Sequence, residues 1–69
     1  PKIKTKREQV YDLIKLNALT NYEISDELDM PLSSVCGRVH ELQELNLIEN
    51  SGKTRKTKYG KQAIVWKIK

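Results

Sequence analysis

Pro31 interrupts a helical pattern, and that interruption constrains the chain more than any other single residue. Proline cannot continue a helix interior, and it biases Met30 away from helical dihedrals. Upstream, Thr20 followed three residues later by Glu23 reads as a capping box: the hydroxyl accepts from a free backbone N–H and the carboxylate reaches back. Ile24 and Leu28 then share a face at i, i+4 spacing, with Met30 just beyond. Downstream, Val35, Val39, Leu42 and Asn46 fall on one stripe, with Leu32 and Leu45 at its edges. The stretch TNYEISDELDMPLSSVCGRVHELQELNL therefore predicts two helices joined by a tight turn. Asp29 stands where glycine is common in such turns. The second helix opens at Leu32 or Ser33, with one of the two serines expected as its N-cap.

The outer face of that second helix is small and polar. Ser33, Gly37, His40 and Glu44 oppose the apolar stripe, Ser34 and Glu41 lie to one side, and Arg38 sits at a flank. The leading turns hold Ser33, Ser34, Cys36, Gly37 and Arg38 and no acid. A helix entering the major groove leads with such turns. Serine hydroxyls meet donors or acceptors on base edges, and an arginine clamps guanine. One serine is expected to cap and the other to touch DNA. Arg38 has two readings of equal weight, a groove contact or an ion pair with Glu41 or Asp29. Gly37 costs about 1 kcal/mol against Ala in mid-helix. Close approach of another backbone, from DNA or a packed helix, is a reason to keep it.

The rest of the chain supplies one helix before this pair and a hairpin after it. TKREQVYDLIKLNA predicts a helix over 5–17, with Val10, Leu13, Ile14 and Leu16 inward and Tyr11 at the boundary. Asn17 is its expected stop, in a left-handed conformation. Residues 1–4 are expected to be frayed or extended, and Pro1 suits removal of an initiator Met or trimming. Ala18-Leu19 adds a short extended bridge. The motif helices are expected over 21–28 and 33–45. Asn46 takes the left-handed closing position. A hairpin over 47–68 follows: Leu47-Ile48-Glu49 opens a strand, Ser51-Gly52 marks a bulge or bend, KTRKTKYGK is a basic loop, and Tyr59-Gly60 is a turn. In the closing strand, Gln62 to Ile68, alternation puts Ile64, Trp66 and Ile68 inward and Ala63, Val65 and Lys67 outward.

Sixty-nine residues make one small domain, with a marginal core and no visible staple. One cysteine allows no internal disulfide and fits a reducing cytoplasmic setting. No apolar run approaches the ~18 residues of a membrane span, and no signal-peptide pattern is present. The net charge is +4, but unevenly spread. Residues 1–19 carry +3, residues 20–49 carry −6, and residues 50–69 carry +7 with no acid at all. Most of any phosphate attraction must come from the two ends. The bland reading of the basic hairpin is a solvated, charge-decorated loop. Cys36 and His40 are i, i+4, but two ligands do not make a structural zinc site, and no metal or cofactor is expected. One histidine, no glycine-rich phosphate loop and no usefully spaced carboxylate pair argue against an enzyme. Trp66 and Tyr22 are expected to pack, while Tyr59 is left open at the turn.

The segments EISDELDMPLSSVCGRVHELQELNLIE and QAIVWKI, in the order helix, helix, turn, helix, hairpin, carry a resemblance to winged helix-turn-helix proteins. The chain looks like the small winged-helix proteins of bacteriophages and the DNA-binding core of the MarR family of bacterial regulators, over about residues 8–68. In those families a Gly-Leu-Ile step leads into the wing; here it is Asn46-Leu47-Ile48. The resemblance implies an α+β fold, three helices in a winged helix-turn-helix with a C-terminal β-hairpin wing. It also implies double-stranded DNA as the partner. Ser33, Ser34, Cys36, Gly37 and Arg38 match the groove-facing positions, and Lys53, Arg55, Lys56, Lys58 and Lys61 match the wing. Lys4, Lys6 and Arg7 are expected to add flanking phosphate contacts. The dimerisation helices of full MarR proteins have no counterpart here, and no heptad seam is visible, so a homodimer stays open. The expected role is that of a transcriptional regulator or phage accessory factor. From another class, the −6 centre suggests a protein-interaction module using Asp26, Glu27, Asp29, Glu41 and Glu44 against a basic partner. RNA ranks third, because aromatic stacking platforms are scarce.

Overall fold

The computed structural model describes residues 4–69. Three helices are followed by a two-stranded antiparallel hairpin, an α+β layout consistent with a winged helix: α1 Lys6–Leu16, α2 Asn21–Leu28, α3 Leu32–Glu44, β1 Ile48–Lys56 and β2 Gln62–Ile68. Residues 1–3 of the segment expected to fray lie outside the described residues. Lys4 is described, and its ammonium pairs with Asp12.

Local chemistry sets each helix start and stop. Thr5 and Glu8 form a full capping box on α1, and Thr20 and Glu23 form a second on α2. In the second, the Glu23 N–H donates to Thr20 Oγ1 at 3.2 Å and the Thr20 N–H donates to Glu23 Oε1 at 2.9 Å. Asp29 ends α2 in the left-handed region, φ 52°, a position a short polar side chain tolerates. The Ser25 hydroxyl donates to the Met30 carbonyl and braces the turn. Asn46, φ 59°, closes α3 as glycine often does: its N–H bonds the Gln43 carbonyl and the Leu47 N–H bonds that of Leu42. Asn17 ends α1 differently from expectation. It is extended, φ −152°, because the chain runs straight on to Leu19, which exchanges both backbone hydrogen bonds with Trp66.

The core lies between the three helices and the base of the hairpin. Val10, Ile14, Ile24, Met30, Val35, Val39, Leu42, Ile48 and Trp66 are its buried members. Leu16, expected inward, is 76% exposed, because α1 ends there and nothing packs beyond it. In the hairpin, Asn50 pairs with Trp66 and Thr54 with Ile64, so Ser51, Gly52 and Lys53 bulge opposite Val65 alone. Gly52 takes φ 83°, and the Asn50 side chain accepts from its N–H at 2.8 Å. This bulge revises the expected alternation. Val65 is buried, bordering the recess formed by Ala18 and the bulge, while Ile64, one pair further out along the wing, is exposed. The run Lys53–Lys56 is strand rather than loop, and the turn spans only 57–61.

Candidate nucleic-acid interface

The start of α3 is open. Pro31 takes the cap position, and no side chain caps the helix. The expectation that Ser33 or Ser34 would cap is thus corrected. Pro31 already fixes a helix-compatible φ, so the helix begins at Leu32, two residues earlier than a Ser33 cap requires, and both serines fall inside the first turn. Ser33 is exposed and Ser34 half-buried, and neither hydroxyl has a hydrogen-bond partner among the described residues. Gly37 has open space where a side chain would stand: beyond its own helical backbone and chain neighbours, no atom of the described residues lies within 4 Å of an added Cβ. Packing within the chain therefore gives no reason for glycine there.

Arg38 resolves toward the ion pair: it lies 3.1 Å from Glu41, with Arg7 at 3.9 Å from the same carboxylate. Cys36 is an exposed free thiol that accepts a hydrogen bond from the Asn21 amide at 3.3 Å. His40 lies 3.4 Å from Glu44 instead. Cys36 and His40 thus engage different neighbours.

The wing cations divide into two sets. Arg55 folds back on α2, donating to both Glu23 oxygens at 2.6 and 2.7 Å. Lys58 reaches Asp26 at 3.1 Å and lies 5.4 Å from the centre of the Tyr59 ring. That hydrogen bond holds the Lys58 pKa above the ordinary lysine value. Burial raises the Glu23 pKa, but the Thr20 N–H and the Arg55 guanidinium outweigh it, and the carboxyl rests below its usual range. Lys53, Lys56 and Lys61 make no ion pair among the described residues and stay exposed.

These two regions adjoin. A recess of about 360 Å³ is bordered by Leu32 at the start of α3, by Tyr22, Ser25 and Asp26 of α2, and by Tyr59 and Lys61 of the wing turn. Tyr22 and Tyr59 pack across it, ring centres 5.7 Å apart. The Gly60 turn, φ 81°, brings Tyr59 back toward α2. Of the five acids, Asp26 pairs with Lys58 of the wing, Glu41 with Arg38 and Glu44 with His40, while Glu27 and Asp29 make no ion pair among the described residues.

Sequence reasoning missed the first capping box, although Thr5-x-x-Glu8 carries the same signature as Thr20-x-x-Glu23. It also missed Glu23 as the wing's anchor, which no local signal announces: Arg55 is 32 residues away. Among the described residues no helix is long and apolar enough to cross a membrane. The fold thus defines an α+β chain of winged-helix layout. Compared with protein-family models and with curated proteins, the chain finds no match in either.

Proposed function

We propose that the chain binds double-stranded DNA, with the leading turns of α3 in the major groove and the wing on the phosphate backbone. The observation that carries this is the shared border of Leu32, Tyr59 and Lys61, which sets the uncapped start of α3 beside Lys61 of the wing turn, a lysine with no ion pair among the described residues. Ser33 and Ser34 are the base-edge candidates, because their hydroxyls are free of intramolecular duties. Cys36 and Gly37 allow the groove wall to come close, and Arg38 reaches guanine only by leaving Glu41. Lys53, Lys56 and Lys61 are the phosphate contacts. Arg55 and Lys58 orient the wing through α2. Lys6 has no ion pair among the described residues and flanks the same duplex, whereas Lys4 and Arg7 are held by carboxylates. The role fits a cytoplasmic transcriptional regulator or phage accessory factor.

A salt titration by fluorescence anisotropy on random duplex tests this. Four phosphate contacts, from Lys6, Lys53, Lys56 and Lys61, give a log K against log salt slope of about −3.6, whereas opening the paired Arg55 and Lys58 as well gives about −5.4. Changing Lys53, Lys56 and Lys61 together to Ala is expected to abolish most of the slope. Affinity retained in that variant overturns the wing's role.

A further inference from the structure

On the other flank of α2, a trough of about 420 Å³ runs between the end of α1, Leu19 and α2. Leu13, Leu16 and Leu19 give it an apolar floor, and Glu23, Asp26 and Glu27 give it an acidic wall. No basic side chain lines it. Leu16 is the most exposed of the large apolar side chains, at 76%, and nothing in the chain's own packing accounts for it. Two of the acids are held on their far side by the wing, through Arg55 and Lys58. Glu27 has no such partner and faces solvent.

We propose that this trough docks a cationic amphipathic helix of another protein. Glu23 and Asp26 are already paired, so Glu27 is the open carboxylate; with no basic side chain on the lining, it favours a basic group over a phosphate. The leucines supply what a purely ionic contact lacks, a surface on which the partner's apolar residues exclude water. A helix presenting apolar residues at i, i+3 and i+4 with Lys or Arg alongside satisfies both demands. The cationic run Lys53–Lys58 of a second copy does not: it is interleaved only with threonine, so it matches the charge but not the floor. No residue of α3 lines the trough, so this docking is separate from the duplex contact and does not depend on it.

The test is an amide chemical-shift titration of the whole chain with two synthetic peptides of about 18 residues, or five helical turns. One carries Leu and Lys at amphipathic spacing, and the other replaces each Lys with Glu. The Lys/Leu peptide is expected to move amides at 13–19 and 23–27, and the Glu/Leu peptide to move none. Leu16→Ser and Glu27→Lys, both exposed and safe for folding, are each expected to weaken binding about tenfold. The proposal is overturned if neither peptide moves those amides. It is equally overturned if the shifts centre on Glu41 and Glu44, if both variants bind as the parent does, or if dilution alone reproduces the shifts, which would mark a second copy as the occupant.

Discussion

The two helices of the central motif begin in opposite ways. At the start of α2, Thr20 is 1% exposed, its hydroxyl and N–H are both bonded to Glu23, and Glu23 also holds Arg55 of the wing. At the start of α3, proline replaces the capping side chain, and two serines follow with nothing inside the chain to bond. A helix that positions its neighbours engages its polar groups internally. A helix that meets a partner leaves them unengaged. The same division separates Arg55 and Lys58 from Lys53, Lys56 and Lys61.

Removing the cap that is in use breaks the comparison hardest. Thr20→Ala is expected to cost about 1–2 kcal/mol, measured by urea unfolding, because it strands a helix N–H at a buried position. Next comes Gly37→Ala. Open space around the position predicts a gain of about 1 kcal/mol in stability. The same change is expected to weaken duplex binding, so stability and affinity move in opposite directions.

A smaller effect isolates the wing's tether. The folded Glu23 pKa is depressed, so its contribution is present above the unfolded value, about 4.3, and is lost as pH falls through the lower folded value. Glu23→Gln keeps the capping geometry but drops the ion pair. It is expected to cost no more than about 1 kcal/mol at neutral pH, since both partners are more than a third exposed. It should also flatten that part of the acid-unfolding profile. Smallest in stability are Ser33→Ala and Ser34→Ala, each within about 0.5 kcal/mol. Their expected effect falls instead on the sequences recovered by selection from a random duplex pool.

Local chemistry made much of the fold legible. Thr20-x-x-Glu23, Asp29 before Pro31, Asn46, Gly52 and Gly60 each act within a few residues, and each adopts the conformation its side chain, or lack of one, favours. What stayed hidden depends on distance. Arg55–Glu23 and Lys58–Asp26 join groups 32 residues apart, and no periodicity encodes them. The serine cap failed because Pro31 had already set the backbone. Ile64 failed because alternation describes a strand's faces, not where the helices beneath them end. Of the candidate site, the leading stretch of α3 was readable as residues. Which of its cations are free was not, because that is decided by α2.

The most direct measurement is amide chemical-shift mapping of the whole chain with a duplex of about 15 base pairs, one and a half turns. The account predicts shifts at residues 33–38 and at 53–61, with the Leu13–Leu19 amides unmoved. A duplex that leaves 33–38 silent, or moves only the acidic positions of α2, would contradict it.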